Sequence, residues 1–236
     1  MSTAIVLLSA GLDSTVGLAL ALERGQKVRL ALCFDYGQRA AGMERERAQA
    51  LAAHYQIPLQ IIELPWLGAI TQTALSSDSD TEIPDVALSE LDSIAGVTLN
   101  SAQKVWVPNR NGLLINIAGS FADSGGDTVI LTGFNAEEAA TFPDNTPQFS
   151  QAITHALAFS TQSQPEVRSE VGHLNKIEIF QAALRLQVPL DLIWSCYREG
   201  PLHCGRCESC SRLWRAAAAN DQLALIQDQF REQPHA

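Results

Sequence analysis

Basic residues are scarce in this sequence: 16 Lys and Arg stand against 26 Asp and Glu, for a formal charge of −10. A surface of that sign repels polyanions unless a local basic patch overrides it, so direct binding of nucleic acid is not expected. Long apolar runs are missing too. The opening run Ala4 to Leu8 is far too short to span a membrane, and no positively charged segment precedes it as a secretory signal requires. Neither a GxxxxGK(S/T) loop nor a GxGxxG fingerprint occurs, which leaves kinase-like and dinucleotide readings without support. No internal repeat or low-complexity tract is seen. Cysteine is sparse except in one place. Cys33 stands alone, while four more fall between Cys196 and Cys210, a distribution wrong for a disulfide framework and right for a metal site in a reducing compartment. A cytoplasmic location is the expectation. The 236 residues, 46% hydrophobic and 18% charged, suffice for a sizeable buried core.

Strand and helix signals alternate along the chain. Ile5 to Leu8 is a short apolar run that ends in Ser9-Ala10-Gly11, and Ser14 to Glu23 carries Leu and Ala at helical spacing. Val28 to Phe34 and Leu59 to Leu64 read as further strands, with a helix over Met43 to Tyr55 between them. Residues Thr71 to Gln103 are rich in Ser, Asp and Thr with little periodicity, which predicts an insertion or lid, partly mobile until ligand arrives. The alternation resumes with helices over Asn111 to Asp123, Pro147 to Ser160 and Lys176 to Leu186, a strand over Thr128 to Thr132, and one or two helices within Leu213 to Phe230. Such a pattern implies an α/β fold, a Rossmann-like parallel sheet flanked by helices, whose ligands bind at the carboxyl ends of the strands. The chain divides into a nucleotide-binding domain over 1–190 and a small helical metal-binding segment over 191–236 packed on it.

Ser9-Ala10-Gly11-Leu12-Asp13-Ser14 follows the first strand and opens a helix, the setting in which backbone N–H groups and a helix N-terminus hold a phosphate chain. Gly11 permits close approach, and Ser9 and Ser14 add hydroxyls. Asp13 is a carboxylate among phosphates, which makes sense if it holds magnesium or orients donors there. The bland alternative is a capped strand-to-helix turn. The segment resembles the SGGxDS signature of PP-loop ATP pyrophosphatases, which implies adenylation with release of pyrophosphate; Ala10 stands where that signature has Gly.

Cys196, Cys204, Cys207 and Cys210 form Cx7CxxCxxC, enough thiolates to close a tetrahedral shell around one structural zinc. An iron–sulfur cluster is the alternative for the same ligand set. Arg198, Arg206, Arg212 and Arg215 flank the ligands and are expected to compensate the charge of a tetrathiolate site.

Further segments fall in order with these: Phe34-Asp35-Tyr36-Gly37-Gln38-Arg39, Val107-Pro108-Asn109-Arg110-Asn111, Thr132-Gly133, Phe142-Pro143-Asp144, Lys176 and Ser195-Cys196-Tyr197. Together, from Ser9 to Arg212, they resemble the 7-cyano-7-deazaguanine synthase family, with an adenine nucleotide alpha hydrolase-like fold. The resemblance implies an ATP-dependent carbon–nitrogen ligase of queuosine biosynthesis. It would convert 7-carboxy-7-deazaguanine and ammonia to the nitrile through an activated carboxylate, an amide and a second activation that dehydrates the amide. It also implies a homodimer with one zinc per subunit, ATP with Mg²⁺ as co-substrate, and nucleotide contacts from Ser9 to Ser14, Arg39 and Gly133. Asp13, Arg110 and Lys176 are the catalytic candidates, the two cations because charge develops on the α-phosphate. Phe142 and Asp144 are the substrate-binding candidates, since an ionised carboxylate accepts from a guanine-like amino group and ring N–H.

The family commonly reads D-x-SGYPDCR where this chain runs from Glu138 to Thr146, with Asn145 for Cys and Thr146 for Arg, and Ala40 replaces a usual His. A divergent branch with the same substrate accounts for this; a ligase delivering the same acid to another amine is the alternative. A tRNA sulfur transferase is disfavoured by the net charge, and a non-catalytic nucleotide sensor by the joint presence of Asp13, Arg110 and Lys176.

Overall fold

The computed structural model describes residues 2–91 and 97–235, with side chains for all of these except 97–100. In chain order the elements are β1 (Thr3–Leu7), α1 (Leu12–Glu23), β2 (Lys27–Asp35), α2 (Ala41–His54), β3 (Leu59–Glu63), α3 (Pro65–Ala69), α4 (Val97–Lys104), α5 (Arg110–Gly125), β4 (Val129–Leu131), α6 (Ala136–Ala139), α7 (Pro147–Ser160), β5 (Glu166–Arg168), α8 (Lys176–Arg185) and α9 (Glu208–Ala219). All five strands pair in parallel, in the order β3-β2-β1-β4-β5. The alternation of strand and helix therefore gives the predicted parallel sheet. No helix among the described residues is long and apolar enough to cross a membrane.

Side chains on a strand point alternately to either face. Ala4, Val6 and Leu8 join Ala31, Cys33, Val129 and Leu131 in a core shared with α1, α2, α8 and α9. Ile5, Leu30, Leu32 and Ile130 face the other way, against Ile115, Ala118 and Ala122 of α5 and Leu157 of α7. Both faces are thus covered, as a parallel sheet requires.

The chain runs outward from β1 to β2 and β3, then returns to the other side of β1 with β4 and β5. Strand order reverses between β1 and β4, and a crevice opens there at the carboxyl ends of the strands. That crevice decides where the chemistry sits.

The expected insertion over 71–103 follows α3. Its described part is a strap tied down by backbone groups: Val86 N donates to Arg206 O at 2.9 Å, and Leu88 N to His235 O at 2.9 Å. Ile83 and Val86 are buried beneath it. Residues 92–96, the middle of the expected lid, lie outside the described residues. The C-terminal helix also starts earlier than its apolar periodicity suggests, at Glu208, because Cys207 sits at its N-cap within the cysteine loop. Beyond Ala219 the chain continues in two 3₁₀ turns, Leu223–Leu225 and Gln227–Gln229.

Candidate active site and metal centre

The loop after β1 is held in shape by its own side chains. Gly11 N donates to Ser9 Oγ at 3.4 Å, Ser14 Oγ and Thr15 Oγ1 donate to Gly11 O at 3.2 and 2.9 Å, and the Ser9 and Ser14 hydroxyls lie 3.3 Å apart. Ala10 adopts φ 62°, the left-handed region that favours glycine, and its carbonyl accepts from Trp194 N at 2.9 Å. The loop is thereby fastened to the segment that leads into the cysteine cluster. Gly133, just past β4, has no room for a side chain: a Cβ would lie 2.8 Å from Ser14 N. The β4 end thus packs directly against the first turn of α1.

Beside this loop lies a buried charge cluster. The Lys176 ammonium pairs with Asp13 Oδ2 and, at 2.9 Å, with Glu138 Oε1. Lys176 reaches them because Asn175 caps α8, its side chain accepting from Glu178 N while Glu178 returns a bond to Asn175 N. Glu138 is placed by Asn135, the N-cap of α6, which accepts from Glu138 N at 2.9 Å. Burial pushes Asp13 up to about 6, Lys176 offsetting only part of that. Burial would lower the Lys176 ammonium, but Asp13 and Glu138 more than reverse this and it stays charged. Asp13 Oδ1 is buried without a hydrogen-bond partner. An acceptor-only oxygen in that state is a position for a cation or a donor on a ligand. Behind the cluster, Arg212 and Arg215 meet on Glu137, and Arg212 donates to Glu208 at 2.7 Å.

The opposite wall is built from the β2 end and the start of α5. Asn109 takes φ 52°, a left-handed turn that Asn tolerates, and the turn delivers Arg110 into the crevice. The Arg110 guanidinium donates to Tyr36 Oη at 3.4 Å and to Asn111 Oδ1 at 3.3 Å. Gln38 accepts from Tyr36 N at 2.9 Å, donates to Phe34 O at 3.0 Å, and donates to Glu44 Oε2 at 2.6 Å. Burial pushes Glu44 up to about 7. Phe142 stacks on Trp106, their rings 6.3 Å apart and 8° from parallel.

Ser9, Gly11, Leu12, Asp13, Ser14, Arg110, Gly133, Phe142 and Lys176 all line one cleft of about 280 Å³. Three expected residues do not line it. Ala10 turns its buried side chain into the core. Arg39 donates to Ala74 O at 3.0 Å, to Ser79 O at 2.5 Å and to Thr81 O, which anchors the strap. Asp144 accepts from Asn145 Nδ2 at 3.2 Å and lies in the electrostatic reach of Arg110. Glu44, Glu138, Tyr197 and Arg212 also line the cleft, none of them among the residues expected in the site. Glu138 and Arg212 lay within segments that were read; Glu44 carried no signal beyond its charge.

The four clustered cysteines are buried and free, and their sulfurs all lie within 4.8 Å of one another, Cys204 and Cys210 at 3.8 Å. Bonds of about 2.3 Å to a tetrahedral ion place sulfurs about 3.8 Å apart, so the set fits one metal ion. Backbone N–H groups point at the sulfurs: Arg198 N and Cys204 N at Cys196, Arg206 N and Cys207 N at Cys204, at 3.3–3.4 Å. Hydrogen bonds from the neighbouring thiols, Cys196 foremost, hold Cys204 far below the thiol range. The flanking arginines are each engaged with carboxylates. Arg198 pairs with Asp85 at 2.8 Å, Arg206 with Glu232 at 2.8 Å, and Arg212 and Arg215 with Glu137.

A family model described as queuosine biosynthesis protein QueC matches residues 3–221. A 7-cyano-7-deazaguanine synthase of Desulforamulus reducens is 52% identical over 214 residues, 90% of this chain and 92% of that protein. One of Carboxydothermus hydrogenoformans is 51% identical over 220 residues, 93% of this chain and 100% of that protein. Among solved structures, the NMN synthetase of Francisella tularensis is matched with a TM-score of 0.45 at 14% identity, over 97% of this chain and 82% of that one. With the family model spanning nearly the whole sequence and about half of the aligned residues shared with these two synthases, the chain belongs to the QueC family of queuosine biosynthesis proteins.

Proposed function

We propose that this protein converts 7-carboxy-7-deazaguanine, ammonia and ATP to 7-cyano-7-deazaguanine, as an ATP-dependent carbon–nitrogen ligase. The observation that carries the reading is the joining, in one cleft, of a phosphate-type loop, a buried lysine between two carboxylates, and a half-buried guanidinium facing an apolar wall. A carboxylate has no leaving group until it is activated. Its oxygen attacks the α-phosphorus of ATP and pyrophosphate departs; ammonia then adds to the acyl carbon, loses a proton and expels AMP, leaving the amide. A second ATP activates the amide oxygen, and loss of AMP and two protons gives the nitrile.

The chain's residues divide this work. Ser9, Gly11, Leu12 and Ser14 hold the phosphates, with Ala10 setting the loop's turn and Gly133 its distance from β4. Lys176 and Arg110 face the charge that develops on the α-phosphate and on the acyl oxygen. Magnesium, held by Asp13 and Glu138, would neutralise phosphate charge there; the unpartnered Asp13 Oδ1 supports that fit. Phe142 supplies an apolar face for the deazapurine, Asp144 steadies Arg110, and Arg39 serves the nucleotide side through the strap it anchors. The cysteine site holds zinc in a structural role. Thiolates around a cluster of several irons stand farther apart than around one ion, and all four sulfurs here lie within 4.8 Å.

The protein acts as a homodimer in the cytoplasm. Exposed Phe159, Trp66 and Ile70 offer apolar surface for a second copy, and five cysteines without a disulfide among them suit a reducing compartment. The defining experiment incubates the protein with ATP, magnesium, ammonium and 7-carboxy-7-deazaguanine and follows products by mass spectrometry. The nitrile, AMP and pyrophosphate are expected. AMP without nitrile would mean another acceptor, and no turnover would overturn the reading.

A further inference from the structure

Among the described residues Glu44 is a carboxylate that forms no ion pair. It sits in the first turn of α2, lines the cleft with Tyr36, Arg110 and Asn111, and receives one hydrogen bond, from Gln38 Nε2 at 2.6 Å. Gln38 is fully engaged by Tyr36 N and Phe34 O, so it fixes the carboxylate's direction rather than following it. Arg110 is close enough to act on Glu44 through space, yet its guanidinium bonds to Tyr36 Oη and Asn111 Oδ1 and the two charges form no ion pair. Burying opposite charges side by side without pairing them is costly unless something else joins them.

An acceptor-only group next to a donor-only group, on a wall made apolar by Phe34, Leu75, Val105 and Phe142, presents a specific pattern. Its complement carries adjacent N–H donors followed by an acceptor. An amino-substituted lactam has that order: amino N–H, ring N–H, carbonyl oxygen. Ammonium offers donors alone and is repelled by Arg110. An adenine edge offers an amino group but no second ring donor. On the reading of function above, the acid carries a 2-aminopyrimidinone ring whose carbonyl lies beside the reacting carboxylate.

We propose that Glu44 determines the specificity of the acid's site: its carboxylate accepts the ring N–H and the exocyclic amino N–H, while Arg110 faces the neighbouring carbonyl and the carboxylate to be activated. The inference rests on that functional reading. It transfers the base-reading role from Asp144, which does not line the cleft and is bonded to Asn145. Burial raises Glu44 to about 7 in the absence of such donors, in keeping with a site that expects them.

The test is calorimetric titration of the full chain, without ATP, using 7-carboxy-7-deazaguanine and the analogue that lacks the 2-amino group. The native protein is expected to bind the analogue about 10- to 100-fold more weakly, the range for hydrogen bonds to a charged acceptor. Glu44→Gln is expected to weaken the parent acid by a similar factor and to bring the two ligands within about threefold of each other, because the lost amino group no longer has a carboxylate to meet. The Michaelis constants for ATP and ammonium should stay within about threefold. Equal discrimination by native and variant protein overturns the inference, as does a variant in which only ATP or only ammonium is affected. If Glu44→Gln does not fold, the native protein decides alone: failure to discriminate between acid and analogue overturns the inference. Binding of neither ligand by the native protein is a different result, which overturns the functional reading itself.

Discussion

Asp13 is held in a condition that the protein without ligands does not favour. Its folded value, about 6, lies above the ordinary 3.8, so the folded protein retains a proton that the unfolded chain releases. The stability this contributes is fully present below pH about 4 and is lost as pH rises through about 6. A shift of that size corresponds to about 3 kcal/mol. Asp13→Asn keeps the shape, removes the buried charge, and leaves Lys176 paired with Glu138. The variant is therefore expected to exceed the native protein in stability at pH 7.5 by up to about 3 kcal/mol and to match it near pH 4, in urea melts run at both values. Its ATP turnover should fall at least about 100-fold. A variant less stable than native at pH 7.5 would mean that the Lys176 pair outweighs the burial of Asp13. At this scale the sequence was legible where a residue type carries its chemistry alone. Asp13 in a phosphate-type loop and four cysteines at Cx7CxxCxxC are of that kind. Arg39 and Asp144 were legible as motif members but not by role, because a motif does not say which way a side chain turns. Ala10 stands where the signature has Gly; its left-handed backbone explains why glycine is usual there, and its carbonyl is held by Trp194 N.

Elements were legible where a period repeats several times. The Pro147–Ser160 helix lies over the predicted residues, and α1, α5 and α8 fall within a few residues of theirs. Three-residue β5 has no room for a period, and α9 begins where the cysteine loop ends rather than where its apolar stripe does. That dependence of an element on a loop carries a prediction. The cysteine loop borders the cleft through Ser195, Tyr197, Ser209 and Arg212, caps α9 at Cys207, and supports the strap through Arg206 O. Cys207→Ala should lose the bound metal and lower the melting temperature by about 10 °C or more. The Michaelis constant for the acid should rise with it, since one wall of its site is released. Metal analysis and a thermal melt check the first two. A variant that stayed folded, metal-free and fully active would show that the loop stands without its ion.

At the scale of the molecule, the 1–190 domain and the 191–236 segment packed on it share one buried core. Trp194, Leu213, Trp214, Ile226 and Phe230 belong to the same buried cluster as Ala4, Leu12, Val16, Ile179 and Phe180. Trp194 stacks on His203, His203 on Phe230, and His203 Nε2 accepts from Ser195 N at 3.1 Å, so the last residues are locked to the segment entering the cysteine loop. Burying each large apolar side chain contributes roughly 1.5–3 kcal/mol. Five such side chains together approach the ~5–15 kcal/mol by which an entire domain is stable. A fragment ending at residue 190 would expose the α1 and α8 faces that this segment covers and would leave the cleft open on one side. The expectation is that residues 1–190 alone do not fold, and that the full chain melts in one transition whether followed by far-ultraviolet circular dichroism or by tryptophan fluorescence. The sequence pointed to a boundary because composition changes there, from alternating strands and helices to a cysteine loop. Composition records what a segment is made of and not which core it completes. Two separated transitions in the full chain, or a cooperative melt from the 1–190 fragment, would establish 191–236 as an appended unit. A single transition and an unfolded fragment would make the metal segment part of the fold that builds the active site.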